Sequence, residues 1–446
     1  MSLTFDQQSL WSHLAPLLEK YQKSKSNKIT VGFSGGLDST VLLHALSQLK
    51  SDKKDFQLSA FHVNHQLQKD ADSWEYFCQQ FCEKYFIDFY SARVIIDNDS
   101  KSGAEAAARE ARYQAFHEHL GERELLLTAH HLDDHIETVF LKLLRGTGIE
   151  GARGILPFSN FKKLNIVRPL LAFDRNSLLR YAEKQELTWV DDPSNASDQF
   201  DRNYLRHKVL PHIEQRWPGY KQTINRFTQN LSDVNKIIHK STQEDYTTAF
   251  SENDSSLDLL AMANLTIERQ SLLLRFWIKE LGCKVPNQKH LQQILNIVNA
   301  RHDANPQVCW GDVQIRRYRG KLFLFSCDDT FITQEYNWDL LEPLHIPGVG
   351  TLDVVHVVGS GIKKDYFQSG VNVKFRMGGE VCRPHKRSHT HTLKKLLQEN
   401  AIPPWQREKL PLIVIHNEIA AVVGEFYCDP FCASENEQGF EIIKRS

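Results

Sequence analysis

The sequence predicts an α/β protein: a doubly wound parallel sheet at the N-terminus, then a mostly helical domain and a small α+β C-terminal domain. Three observations predict it. Short apolar runs alternate with amphipathic helical patterns four times before residue 146, at the roughly 30-residue period of a βαβ unit. The turn VGFSGGLDST at 31–40 joins the first such run to the first helix. Beyond Trp217-Pro218-Gly219 the pattern changes to long helical segments and then to alternating, strand-like runs.

In order, KITVGF (28–33) reads as a buried strand and 38–50 as a helix with apolar positions at 42, 43 and 46. Strands follow at 57–65, 89–96 and 124–131, and helices at 72–86, 105–120 and 133–146, the last ending in glycine. Helices between the strands make the connections crossovers and the sheet parallel. Residues 146–168 form a Gly-rich loop and a basic stretch with Arg153, Lys162, Lys163 and Arg168. Helix 174–186 leads into a polar segment ending in RNYLRHKVLP. Helical segments at 221–247, 266–281 and 288–300 precede a hairpin over 313–325 that turns at Arg319-Gly320. Strands from 346, a helix at 392–399 and more strands close the chain. The expected domains are 1–216, 217–330 and 345–446.

The chain of 446 residues suits two to four domains, at roughly 100–200 residues each. A net charge of -1 means that a nucleic acid would have to be held by local basic patches rather than a global field. No apolar stretch approaches the ~20 residues of a membrane span, and MSLTFDQQSLWSHL lacks the build of a secretory signal. Eight cysteines without a dense framework suit a reducing cytoplasm. Cys78/Cys82 and Cys428/Cys432 are spaced C-x3-C. The first pair lies on an aromatic helical face and reads as core, and neither has the tighter spacing typical of zinc.

A glycine-rich turn that leaves a strand and opens a helix is an anion site, because unpaired N–H groups and the helix dipole both face the ligand. Ser34, Ser39 and Thr40 add hydroxyls. The turn has no lysine after its glycines, so it is not G-x4-G-K-[ST], nor is it G-x-G-x-x-G. SGG-x-DS is the pattern of PP-loop ATP pyrophosphatases, enzymes similar in fold to the adenine nucleotide alpha hydrolases. A plain β-α turn capped by Asp38 is the alternative.

Downstream residues narrow the reading. FHVNH (61–65), AREARY (108–113), TAHHLDDHIETVFLKLLRGTG (128–148), RPLL (168–171), DPSN and RNYLR (192–206) occur in that order, followed by FRMGGE, RPHKRSHTHTLKKLLQE and IPPWQREKLPLI. Together they resemble the tRNA(Ile)-lysidine synthetase family, densely up to about residue 215 and well at the C-terminus. Residues 220–300 carry no such motif.

The resemblance implies a ligase that uses ATP and Mg²⁺ to adenylate oxygen 2 of the wobble cytidine in an isoleucine tRNA with a CAU anticodon. The ε-amine of free L-lysine then attacks carbon 2, giving lysidine, AMP and pyrophosphate. It implies ATP binding by Ser34, Gly35, Gly36, Leu37, Asp38, Ser39 and Thr40, with His62, Val63, Ala129 and His130 at neighbouring strand ends. Asp38 is the expected Mg²⁺ ligand and, with Arg109 and Arg112, a catalytic residue. Asp133, Asp134 and Glu137 share a helical face and are expected to hold lysine or metal; dipole complementarity is their plainer reading. Arg202 and Arg206, at i,i+4, suit tRNA, active-site contacts or surface ion pairs. Between Lys374 and Lys395 there are seven Lys/Arg and one Glu. Arg376, Arg383, Lys386, Arg387, Lys394 and Lys395 are the expected tRNA contacts there, with Trp405 as a stacking platform. The basic loop around Arg153, Lys162 and Lys163 is a weaker candidate for the anticodon stem. A zinc cluster of His130, His131 and His135 lacks a ligand spacing that stands out.

Two rivals remain. A tRNA thiolase would need cysteines near the ATP loop, and none lies between 83 and 282. An RNA-binding protein with ATP as a regulatory ligand would not turn ATP over to AMP. The sequence leaves open whether the chain is a monomer or a homodimer.

Overall fold

The computed structural model describes residues 4–21, 28–51, 56–66, 70–94, 104–120, 124–162, 164–193, 197–298, 306–326, 333–367 and 370–445. The chain forms two compact units, one up to His239 and one from Lys240.

The first unit runs α1 (Gln7–Tyr21), β1 (Lys28–Gly32), α2 (Leu37–Ser51), β2 (Gln57–Asn64), α3 (Ala71–Lys84), β3 (Asp88–Arg93), α4 (Ala104–His119), β4 (Leu125–Leu127) and α5 (Leu132–Leu144). A short helix α6 (Ile149–Ala152), strands β5 (Phe158–Phe161) and β6 (Leu164–Val167) and helix α7 (Arg175–Lys184) follow. Helices α8 (Asp201–Tyr204) and α9 (Leu210–Arg216) are joined by one π-helical turn at Leu205–Val209. Helix α10 (Tyr220–Ala249) contains the division between the units.

The sheet order is β3-β2-β1-β4-β6-β5. All pairs are parallel except β5 with β6. Residues 29–31 of β1 and all of β4 are buried without alternation because helices cover both faces of the sheet. One face packs Leu10, Leu14, Leu42, Leu46, Phe81 and Leu178 from α1, α2, α3 and α7. The other packs Phe61, Leu126 and Ile166 against Tyr113 and Phe116 of α4. The doubly wound prediction holds. Strands β5 and β6 are the addition: the Gly-rich loop hides a hairpin whose second strand extends the parallel set.

The order reverses between β2-β1 and β4-β6, so the crevice beyond the ends of β1 and β4 is the topological switch point, where open α/β sheets bind ligands. The 34–39 turn and residues 128–131 both open onto it.

The second unit is helical in its first part, with α11 (Leu259–Ala263), α12 (Ile267–Glu280) and α13 (Gln288–Val298). These pack Leu274, Trp277, Ile294 and Leu295 against a five-stranded sheet of Phe250–Ser251, Ser256–Asp258, Lys321–Ser326, Val313–Tyr318 and Gln307–Trp310. The hairpin read from sequence is the middle of that sheet. Arg319 (φ 46°) and Gly320 (φ 76°) form its turn, with the two positive φ values that tight hairpins need. From Tyr336 onward, further antiparallel sheets enclose Val373, Ile413, Ile415 and Ala421, and helix Leu393–Glu399 packs on them through Leu393, Leu396 and Leu397. Among the described residues no helix is long and apolar enough to cross a membrane.

Candidate active site

The phosphate-type turn is built before any ligand arrives. Gly35 has φ +81°, and a Cβ there would lie 3.0 Å from the Cys78 sulfur and 3.4 Å from Phe77 of α3. Its carbonyl accepts from Val190 N at 2.9 Å and from the Thr40 hydroxyl at 3.2 Å. Ser39 Oγ donates to Gly36 O at 3.0 Å and sits 3.1 Å from Ser34 Oγ. Thr40 is fully buried, so it shapes the turn and does not line the cavity. The N–H groups of the first turn of α2 have no intrahelical acceptor and point outward. Gly35→Ala is expected to cost on the order of 1–3 kcal/mol in urea unfolding and to weaken ATP binding; unchanged ATP affinity would separate the turn's shape from its function.

The cavity has a volume of about 550 Å³. Of the expected nucleotide residues, Ser34, Gly36, Leu37, Asp38, Ser39, His62, Val63, Ala129 and His130 line it, as does Arg112. Ala129 and His130 lie just past β4, which ends at Leu127. Arg109 is not in the lining. It stacks on Tyr113, with its guanidinium carbon 5.0 Å from the ring centre, while Arg112 reaches the cavity and donates to His65 Nε2 at 3.3 Å.

Beside the turn, and sharing Asp38 with it, lies an acidic cluster centred on His131, a residue the sequence offered only as a zinc candidate. It is 1% exposed. Its Nε2 is 3.5 Å from Asp38 Oδ2 and from Asp134 Oδ2, and its Nδ1 is 3.6 Å from Asp133 Oδ2. Burial alone would lower its pKa, but the carboxylates of Asp134, Asp133 and Asp38 outweigh burial and hold it well above the usual imidazole range. In return it helps hold Asp133 and Asp134 ionised against burial.

The three acidic residues of α5 have different partners. Asp134 lines the cavity, accepts from His131 N at 3.1 Å and lies 3.3 Å from Arg202 Nη2. Asp133 turns away, accepting from Lys221 Nζ and Arg175 N, each at 2.8 Å. Glu137 is on the buried face of α5, 1% exposed. It accepts from Arg202 Nε at 2.7 Å, Arg206 Nε at 2.6 Å and Arg206 Nη2 at 2.8 Å. The π-helical turn begins right after α8 and carries Arg206, a distortion found mostly at functional sites. Arg202 reaches past Glu137 into the cavity.

His62, His65 and His130 also line the cavity. Burial, with Asp134 opposing it and Arg168 reinforcing it, lowers His130 to about 3. Burial and then Arg112 bring His65 to about 4, and burial lowers His62, whose Nδ1 lies 2.9 Å from Phe33 O. His135 bonds Thr228 at 2.9 Å and contacts Ile155 at 3.1 Å, away from His130 and His131, so the three histidines do not converge on a metal. Sequence reading also passed over Asn64, Trp74, Arg175, Asp191 and Asp192 in the lining. The last two sit beside Val190, the residue tied to Gly35, and only the fold brings that segment to the turn.

Two basic expectations change. Arg168 is buried and donates to Leu156 O at 2.9 Å and Ser159 Oγ at 3.0 Å, so it braces the β5 loop instead of offering a surface cation. Lys162 donates to Gln114 at 2.8 Å and Arg153 to Glu150 O at 3.2 Å; Lys163 lies outside the described residues.

In the second unit Arg383, Lys386, Arg387, Lys394 and Lys395 are exposed, and Arg376 is half-buried. Arg387 pairs with Glu399 at 2.8 Å, and Arg376 Nε lies 3.7 Å from Glu380. Trp405 is not an open platform. Tyr318, Phe323 and Phe325 pack edge-on around it at 5.2–5.7 Å, and Arg316 lies 5.6 Å over its ring.

Comparison with known proteins agrees with this layout. Residues 10–213 match the PP-loop domain family, 257–323 the TilS substrate binding domain family and 371–443 the TilS substrate C-terminal domain family. The chain is 40% identical over 422 residues to the tRNA(Ile)-lysidine synthase of Coxiella burnetii, covering 94% of this chain and 93% of that one. It is 37% identical over 432 residues to that of Yersinia pseudotuberculosis, covering 93% and 95%. Among solved structures, the U34-tRNA thiolase NcsA of Methanococcus maripaludis is similar at 20% identity and a TM-score of 0.41, covering 50% of this chain and 76% of that one.

Proposed function

The chain belongs to the tRNA(Ile)-lysidine synthase family, and we propose that the cavity at its switch point joins free L-lysine to the wobble cytidine of an isoleucine tRNA with a CAU anticodon. One observation carries this: a preformed phosphate turn, a cavity-facing carboxylate, Asp134, and the guanidiniums of Arg112 and Arg202 all line the same cavity.

ATP lies with its phosphates on the 34–39 turn and its adenine against the end of β2, at Phe61–Val63. The neutral imidazoles of His62, His65 and His130 suit a base, since they add no charge beside the ring. Asp38 would hold Mg²⁺: its Oδ1 is buried without a hydrogen-bond partner, and a hard cation takes such an oxygen. The ion supplies charge neutralisation for the leaving pyrophosphate. Arg112 and Arg202 stabilise charge on the α-phosphate while cytosine O2 attacks phosphorus. With O2 adenylated, the neutral ε-amine attacks C2 and AMP departs with its oxygen.

Lysine needs a carboxylate that faces the cavity and stays ionised, and Asp134 meets both conditions. Asp133 and Glu137 fail the first, since neither lines the cavity; Lys221 holds Asp133, and Arg202 and Arg206 hold Glu137. Glu137 acts on the chemistry by fixing Arg202.

The experiment is incorporation of labelled lysine into that tRNA with ATP and Mg²⁺, alongside AMP release. Lysine and AMP in equal amounts are expected. AMP without lysine in the RNA would keep the adenylation and replace the nucleophile.

The exposed lysines and arginines around 383–395 are the proposed tRNA contacts of the second unit. Each phosphate neutralised steepens the fall of affinity with salt by roughly 0.7–0.9 on a log-log scale. Lys386→Ala should flatten the slope by about that much in a filter-binding series. An unchanged slope would remove Lys386 from the interface.

A further inference from the structure

We propose that the second unit carries a site for a zinc-type divalent transition ion, formed by His385, Asp429 and Cys432. One ring nitrogen, one carboxylate oxygen and one sulfur from these residues lie within 4.8 Å of one another, and no other such group of three occurs among the described residues. His385 Nδ1 and Asp429 Oδ1 are 2.8 Å apart. Nitrogen, oxygen and thiolate sulfur together are a zinc donor set; a hard cation such as Mg²⁺ takes oxygens instead.

The donors come from two segments zipped together by backbone. Pro384 bridges Cys428 as in an antiparallel pair. His385 N donates to Tyr427 O at 2.9 Å, and Asp429 N to Arg383 O at 2.8 Å. Phe431 N donates to Cys428 O at 3.1 Å, which curls the chain so that Cys432 returns toward Asp429. On its far side Cys432 bridges Ile362, and Lys363 N donates to Phe431 O at 2.9 Å. Each donor therefore sits on backbone fixed at both ends, as a preorganised site requires. Cys432 is 8% exposed, while the His385 side chain is 46% exposed, which leaves a solvent-facing side for a fourth ligand.

A plain His385–Asp429 ion pair accounts for two of the three groups, while the Cys432 thiol donates only a long hydrogen bond, 3.6 Å, to Cys428 O. The neighbouring free thiols of Cys382 and Cys428 hydrogen-bond each other. Arg383 Nε, 3.8 Å from Asp429 Oδ2, is exposed and free to swing aside. Ligation needs neutral His385 and ionised Cys432. Burial, reinforced by Asp429, raises the Cys432 thiol to about 11, so the ion has to displace a firmly held proton, which goes to solvent. The ion would clip the 383–387 segment, with Arg383, Lys386 and Arg387, onto the 428–432 turn. Only that last consequence rests on the RNA reading; the site itself does not.

The test is titration of the full-length, chelator-stripped chain with Zn²⁺ by calorimetry and with Co²⁺ by absorbance. One ion per chain and a thiolate-to-cobalt charge-transfer band are expected. Cys432→Ser should abolish the band and weaken binding at least tenfold. His385→Ala, at an exposed position where folding is not at stake, should weaken binding as much. Cys309→Ser, an exposed thiol elsewhere in the unit, should change neither. No ion bound by the native chain, or binding that survives both Cys432→Ser and His385→Ala, overturns the proposal.

Discussion

Replacing Asp38 by alanine is expected to lower lysine-dependent AMP release by roughly 10²–10³-fold, the usual cost of removing one preorganised charged group from a reaction site. Asp38 sits in the first turn of α2 and lines the cavity. Asp38→Asn, which keeps the shape and deletes the charge, should be almost as inactive. Activity in Asp38→Asn within a few-fold of native would reduce Asp38 to a cap. Both variants should fold, because Asp133 and Asp134 still surround His131.

The stability cost should depend on pH. His131 has its pKa raised in the fold, so its pairing stabilises fully below the unfolded value, about 6.5, and fades as pH rises through the folded value. Asp133 and Asp134 are lowered, so their share is full above about 3.9 and is lost as pH falls. Both proteins keep the Asp133 and Asp134 share, so the difference in melting temperature between native and Asp38→Ala protein should be largest just below about pH 6.5 and shrink as pH rises through the folded value of His131.

Much of this site is local in sequence. The turn at 34–40, the strand ends at 62–63 and 129–130 and the acidic start of α5 are each a few residues long, and each follows a strand whose apolar run is plain. What the sequence hides is direction. Helical spacing puts Asp133, Asp134 and Glu137 on one face, yet Lys221, the cavity and an arginine pair draw them three ways. Arg109 and Arg112 are one turn apart, and only packing on Tyr113 decides which enters the cavity. Val190 reaches Gly35 across more than half of the first unit. Trp405 reads as a surface aromatic in a basic region until the sheet behind it is seen. Strands β5 and β6 were missed for a different reason: each has four residues, and glycines before them mask the alternation.

The second large effect is expected at Glu137. Its carboxylate is buried, and two guanidiniums converge on it from a helix distorted by a π turn. Glu137→Gln keeps the volume but leaves two cations sharing a neutral amide. Breaking a buried ion pair costs about 3–5 kcal/mol; Arg202 and Arg206 retain 26% and 32% side-chain exposure, so about 3 kcal/mol is the expectation in chemical unfolding. Released from Glu137, Arg202 no longer sits in the cavity, and kcat should fall while the KM for lysine stays within about twofold. Asp134→Asn should behave the other way. Losing a charge-assisted bond to an ammonium is worth about 1.5–3 kcal/mol, or about 10–150-fold in lysine KM, with pyrophosphate release in the first half-reaction less affected. If Glu137→Gln instead raises lysine KM and leaves the unfolding midpoint unchanged, then the carboxylate exchanges its arginines for the substrate, and Arg202 and Arg206 are a lid over the lysine site.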